Sequence, residues 1–386
     1  MNEILILGAG YTGMAATLGL AARLKGHDDV HITLVNPQTR FVERLRLHQT
    51  ASGQELADLH IPDQLAGTGV DFVQGWVTGL DADAQTVRID DSDTLRYDTL
   101  IYALGSVADT AAVPGVDEFA YTLNSAQDAA LLAEHLDRLS GGTVVVAGGG
   151  LTGVESAAEI AEQHPELDVV LLSRQVPGSM MGDKARARLH KGLDRLGVQV
   201  RFGVDIVKVM ADGVALDDGE VVPAQAVLWT AGVRVSPIAA AAGLQVDDRG
   251  RIVVDESLRS VSHPNVYAVG DAAAIRQGYG IMHGTCQSGI PTAVHAAASV
   301  VRELKGKRPK KFRFGYVHQP VSLGRNDAVI QFTHADDSPG RFYLAGRIAA
   351  AYKETVSSSP WPTYRLLNAI PAVGAAMWRR GGRLTR

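Results

Sequence analysis

Ile4-Leu5-Ile6-Leu7-Gly8-Ala9-Gly10-Tyr11-Thr12-Gly13 decides how the chain begins. Four apolar residues lead into a Gly-x-Gly-x-x-Gly turn and an alanine-rich run, a pattern that predicts buried strand, tight turn and helix. Gly8 permits the turn, Gly10 lets a pyrophosphate approach the backbone, and Gly13 lets the helix sit close on the strand. The helix start offers free N–H groups and a positive dipole end to phosphates. Alone, the stretch reads as a cofactor turn, with an ordinary βα connection as the alternative.

The pattern returns at Thr143-Val144-Val145-Val146-Ala147-Gly148-Gly149-Gly150-Leu151-Thr152-Gly153. A helix through Ile160 and a strand over Asp168 to Leu172 are expected to follow. Two complete strand-turn-helix-strand units imply two dinucleotide sites, since a chance turn seldom repeats its whole context. The acid that usually ends the second strand and holds a ribose is missing from both. Asn36 stands there in the first unit and Ser173-Arg174 in the second. Arg174 can pair with a 2′-phosphate, which admits NADPH beside NADH; otherwise it stacks on adenine or points to solvent.

Composition sets the outer limits. With 386 residues the chain has room for two or three domains. A hydrophobic content of 46%, a charged content of 20% and a formal charge of -5 fit a water-soluble α/β protein and argue against nucleic acid as partner. No apolar run reaches the roughly 18 residues that span a bilayer. Glu3 and a strand occupy the place of a signal peptide's basic and apolar regions. These features predict a cytoplasmic protein. One cysteine, Cys286, excludes a disulfide framework, a C-x-x-C redox pair and a cysteine metal cluster.

Other segments complete the outline. Val30 to Val35 reads as the second strand, Val70 to Ile89 as a small β-meander carrying Val77, and Ser125 to Leu139 as a helix with a Ser or Asn cap. Thr99-Leu100-Ile101-Tyr102-Ala103-Leu104-Gly105 and Ala226-Val227-Leu228-Trp229-Thr230-Ala231-Gly232 are paired strand-to-glycine endings. Asn265 to Asp271 is a further strand ending Gly270-Asp271 before a helix-like stretch. Asp271 there can accept a cofactor hydroxyl at the ligand crevice, or cap the next helix. Arg44, in a mixed basic and apolar run, either meets a phosphate or lies on a solvated helical face. His283 to Ser288 precedes a long helix reaching about Leu304, whose dipole could stabilise an anion at its start. The basic run 305–313 and the arginine- and aromatic-rich tail beyond Trp361 suit a membrane surface; a solvated linker and a packing or dimer helix explain them equally.

Together these motifs resemble the two-dinucleotide-binding-domain FAD flavoproteins of the pyridine nucleotide-disulfide oxidoreductase type, and within them type II NADH dehydrogenases. The resemblance covers roughly residues 2–350 and is strongest at Gly148–Glu155, Leu228–Val233 and Val266–Asp271. It implies an α/β fold of two Rossmann-like domains, the NAD domain inserted in the FAD domain, plus a small C-terminal α+β region. The implied limits are 1–112 and 246–310 for FAD, 113–245 for NAD(P)H and 311–386 for a region that contacts membrane, dimer partner or acceptor. Gly8, Gly10, Tyr11, Thr12, Gly13, Asn36, Arg44, Val77, Ala103, Gly105, Gly270 and Asp271 would then hold FAD. Gly148, Gly150, Leu151, Thr152, Gly153, Glu155, Ser173, Arg174, Ala231 and Gly232 would hold the nicotinamide nucleotide. Glu155 matches a glutamate beside the stacked rings and Gln287 a glutamine lining the acceptor pocket, with Cys286 where the family usually has alanine.

The resulting expectation is an FAD-dependent enzyme that takes hydride from NAD(P)H and passes electrons to a small acceptor, most plausibly a quinone, working in the cytoplasm or on the membrane's inner face. Reduction of an iron–sulfur carrier docked on the 305–313 run, a biosynthetic oxidation and a signalling flavoprotein are the competing readings. Disulfide reductases and sulfide oxidisers need paired cysteines, which this chain lacks.

Overall fold

A computed structural model describes residues 1–369 and, within them, every side chain but that of Cys286. The apolar runs become parallel strands. β1 (Asn2–Leu7), β2 (Val30–Asn36), β3 (Val70–Gln74) and β4 (Thr99–Tyr102) pair in parallel in the order β4-β1-β2-β3. Ile4 to Leu7, Leu34, Leu100 and Ile101 are buried, as expected where a parallel sheet is covered on both faces. Helix α1 (Tyr11–Leu24) covers one face with Met14, Leu18 and Leu20.

The expected meander over Val70 to Ile89 is corrected. Val70–Gln74 pairs with β2 as the edge of the parallel sheet, and the antiparallel meander runs instead through Val77–Asp81, Thr86–Ile89 and Asp93–Arg96. Alternation predicts a strand but cannot choose its neighbour.

The segment after β2 carries the short helix α2 (Leu47–Ala51). The second unit repeats the first. β5 (Gly142–Ala147), α3 (Leu151–Gln163), β6 (Leu167–Ser173), β7 (Gln199–Phe202) and β8 (Ala226–Trp229) form a parallel sheet in the order β7-β6-β5-β8. The chain then returns, and β9 (Val266–Ala268) adds to the first sheet beside β4. The helix-like stretch expected after Asp271 is only a single 3-10 turn, Gly270–Ala272, and a short strand. The long helix α4 (Cys286–Leu304) starts later. Thr285 caps it, and Ser288 closes a reciprocal capping box. Ala293, Ala296, Ala297 and Val300 of α4 are buried, with Ala297 beside Gly19 of α1.

The C-terminal region holds the antiparallel strands β10 (His318–Ser322), β11 (Ala328–Thr333) and β12 (Pro339–Ala345), then α5 (Arg347–Ser358) and α6 (Pro360–Ala369). α6 packs on the first unit. The Tyr364 hydroxyl donates to the Tyr11 carbonyl at 3.1 Å, and Trp361 lies 5.1 Å from Phe41 between ring centroids. Tyr364 and Leu367 turn inward while Leu366 is exposed, so the described part of the tail is a packing helix. The rest of the expected Leu366 stripe, Ile370, Val373 and Met377, lies outside the described residues. Among the described residues no helix is long and apolar enough to cross a membrane.

Candidate active site between two glycine turns

Both turns have the same construction. A side chain at Gly13 would overlap the Gly8 carbonyl oxygen, and one at Gly153 the Gly148 carbonyl oxygen. Gly8 and Gly148 take φ of +92° and +116°, conformations that side chains rarely adopt. Gly10 and Gly150 differ. They are the N-cap residues of α1 and α3, receive no side-chain cap, and face open space, with nothing within 4 Å of a built Cβ. Uncapped helix donors beneath an open surface fit an anionic diphosphate at each turn.

Around the first turn the sequence candidates converge. Thr12 packs its methyl against Gly270 and Gly289, and Gly270 donates its N–H to Thr292 Oγ1 at 3.0 Å. Ala103 donates to the Leu7 carbonyl at 3.0 Å and places its own carbonyl 2.7 Å from a Cβ built at Gly8. Asp271 does not cap a helix. Its Oδ2 accepts the Ser106 hydroxyl at 2.7 Å, and Arg44 Nη1 donates to the Ser106 carbonyl at 2.5 Å. Arg44 itself is exposed, while its neighbours Glu43 and His48 are buried, so the run is solvated only in part. Gly105 turns with φ +65°, and Val77 stands half-buried at the start of the meander.

Two candidates are engaged by the protein itself. Asn36 Oδ1 accepts the Ala9 N–H at 2.9 Å and its Nδ2 donates to the Gln38 carbonyl at 2.7 Å, so its amide braces the glycine turn. The Tyr11 hydroxyl accepts the Leu45 N–H at 3.3 Å, and its ring meets Phe41 edge to face at 5.3 Å.

At the second turn, Thr230 Oγ1 donates to the Ala147 carbonyl at 2.8 Å and holds Ala231 over Gly148. Gly232 accepts from Asp109 N–H through its carbonyl at 3.3 Å. Leu151 and Thr152 begin α3, and the Thr152 carbonyl accepts the Ser156 hydroxyl at 2.8 Å. Ser173 is buried over Gly149, whereas Arg174 is 76% exposed with Nε 3.4 Å from Asp205 Oδ1.

Glu155 sits one turn into α3 and is buried. Its Oε1 accepts the Ser322 N–H at 2.9 Å and the Ser322 hydroxyl at 3.1 Å, and pairs with Lys353 Nζ at 3.0 Å. Burial pushes its pKa up, but the Lys353 ammonium and the Ser322 donors outweigh that and hold the carboxyl below its ordinary value. Glu159, the next residue on that helix face, goes the other way. Burial lifts it to about 7, only partly offset by the Gln54 amide bonded to its Oε1 and by Arg325. His48 of α2 lies against this group, and burial lowers it to about 4.

Gln287 spans α4 and β10. Its Nε2 donates to the His318 carbonyl at 2.9 Å and its Oε1 accepts the Val317 N–H at 2.6 Å. The basic run 305–313 folds beside acidic residues from outside it. Lys311 pairs with Glu256 at 2.5 Å, and Asp255 and Glu303 line the same groove as Lys307, Arg308 and Lys310.

Residues 2–299 match the family model described as pyridine nucleotide-disulphide oxidoreductase. The chain belongs to that family. An NADH dehydrogenase-like protein of Mycobacterium tuberculosis is 32% identical over 354 residues, covering 85% of this chain and 87% of its own length. A type II NADH:quinone oxidoreductase of Staphylococcus epidermidis is 26% identical, covering 92% and 94%. Among solved structures, NDH2 from Plasmodium falciparum in complex with NADH superposes with a TM-score of 0.80 at 15% identity, covering 95% of this chain and 97% of that one. Membership makes this chain an oxidoreductase with FAD and NAD(P)H as cofactors, and the two open turns fit such a pair.

Local pattern and the family resemblance singled out both turns, Asp271, Arg44 and Glu155 as candidates. It missed Ser106, although that residue directly follows Gly105. It also missed Lys353, Ser322 and His48, which carry no motif and reach Glu155 only through the fold.

Proposed function

We propose that the protein oxidises NAD(P)H and reduces a quinone. The first turn with Asp271 and Arg44 is read as the FAD seat, and the second, inserted over 113–245, as the nicotinamide seat. FAD, when bound, supplies the two-electron chemistry; the chain supplies position and charge. Open helix starts at Gly10 and Gly150 bind the two diphosphates. Asp271, fixed by Ser106, accepts a sugar or ribityl hydroxyl. Glu155, kept ionised by Lys353, orients the nicotinamide ring, and Arg174 reads a 2′-phosphate.

The observation that carries this reading is the pair of turns that share one construction, the second leading into the helix of the buried Glu155–Lys353 pair. Support for quinone comes from the S. epidermidis relative's name. The test is an anaerobic titration of the yellow protein with NADH or NADPH, followed by a panel of quinones and a ferredoxin. Bleaching by reduced nucleotide and reoxidation by quinone is the expected course. An unbleached flavin, or one reoxidised by ferredoxin alone, refutes it.

A membrane-surface role fits the C-terminal region. Phe342 and Ile348 are 78% and 75% exposed, close to Leu344 and Tyr343. Co-sedimentation with anionic lipid vesicles that is lost in Phe342→Asp supports this attachment; unchanged sedimentation rejects it.

A further inference from the structure

His318 and Tyr352 form a hydrogen-bonded pair that the roles above leave unused. The His318 Nδ1 and Tyr352 hydroxyl are 2.8 Å apart, with the rings edge to face at 5.4 Å. On a strand, alternate residues share a face, so His318 and Ser322 lie on the same side of β10. Ser322 holds Glu155 at one end of that face and Tyr352 holds His318 at the other. Tyr352 and Lys353 are consecutive on α5, one serving each end.

The backbone at His318 is fixed as well. Both halves of the Gln287 amide bind residues 317 and 318, at the first turn of α4. α4 continues into Gly289, which lies against Thr12 of the first glycine turn, and into Thr292, whose hydroxyl oxygen accepts the Gly270 N–H. The pair is thus tied to Glu155 beside the second turn through β10 and to the helix packed on the first turn through Gln287. Burial first, then the Lys353 ammonium, holds the imidazole down to about 4, with Asp337 pulling the other way. Asp337 is itself engaged by His283 at 3.1 Å. The ring is neutral at neutral pH.

Oxidation of NAD(P)H by a quinone consumes one proton beyond the transferred hydride. We propose, resting on the function assigned above, that His318 and Tyr352 deliver this proton to the reduced acceptor. Two electrons and one proton reach the quinone as a hydride equivalent. His318 Nε2–H gives the second proton to the other acceptor oxygen, breaking N–H and forming O–H. The Tyr352 hydroxyl proton moves to Nδ1, and water replaces it on the tyrosine oxygen. The products are the quinol and NAD(P)+.

Stopped-flow measurements on the holoenzyme test this. In His318→Gln, flavin reduction by NADH is expected to stay within about twofold of wild type. Reoxidation by a soluble naphthoquinone is expected to slow on the order of 10²-fold, the usual size of a lost proton donor. Tyr352→Phe slows the same step less, and added imidazole restores part of the rate in His318→Gly. Unchanged reoxidation, or equal loss in both half-reactions, overturns the proposal. An independent reading uses 15N NMR of the labelled imidazole, where an Nε2–H tautomer that does not titrate above about pH 5 is expected. An Nδ1–H tautomer overturns the relay. A wild-type flavin that NAD(P)H fails to bleach refutes the functional reading instead, while the NMR result still decides the pair.

Discussion

Lys353 Nζ lies 3.0 Å from Glu155 Oε1, joining α5 to the start of α3. Both groups are largely buried, so each depends on the other. Removing one partner of a buried pair strands a charge and costs about 3–5 kcal/mol, whereas replacing both is often neutral. Lys353→Met should therefore lose about that much stability in urea denaturation. Adding Glu155→Gln should recover most of it; a double variant no better than the single would refute the coupling.

The proposed role of Arg174 is to set nucleotide choice. Its guanidinium is exposed and held near Asp205, directly after the end of β6. A charged hydrogen bond to a 2′-phosphate is worth about 1.5–3 kcal/mol. Arg174→Ala should raise KM for NADPH roughly tenfold or more and leave KM for NADH nearly unchanged. Equal changes would show that Arg174 does not read the phosphate.

The two glycine turns should fail separately. In Gly153→Ala the new methyl overlaps the Gly148 carbonyl, so α3 must move away from β5. The purified variant should remain yellow but no longer be bleached by NADH. Gly13→Ala strikes the Gly8 carbonyl in the same way and should yield colourless protein. Absorbance at flavin wavelengths before and after NADH distinguishes them.

Glu159 gives stability a pH signature. Its carboxyl titrates near 7 in the fold against an ordinary value of 4.5, raised chiefly by burial. The folded state therefore binds more protons between those values. Its contribution is full below pH 4.5 and lost as pH rises through 7. Glu159→Gln keeps the side chain neutral throughout, so its Tm relative to wild type should rise by on the order of 2–4 °C between pH 5 and pH 8.5. His48 works in the opposite direction, its value lowered to about 4 by burial, so wild type also loses stability as pH falls from 6.5 towards 4.

What the sequence determined by itself was local. Gly8, Gly10 and Gly13, with their second copy, specify a backbone path through conformations and contacts set within about ten residues, so the turns could be read directly. Paired apolar strands likewise announced two parallel sheets, while the family resemblance implied the return of 246–310 to the first domain, where Val266–Ala268 pairs. The partner of each polar side chain was decided only by tertiary structure. Asn36 could have held a ribose, but the fold gives its carbonyl to Ala9. Val70–Gln74 became a sheet edge because β2 offered an open neighbour. Glu155 acquired Lys353, and His318 acquired Tyr352, because β10 packs on α3 and α5 packs on β10. A charge buried far from water must find its counter-charge in space, and distance in space is not written in the spacing of residues along a chain.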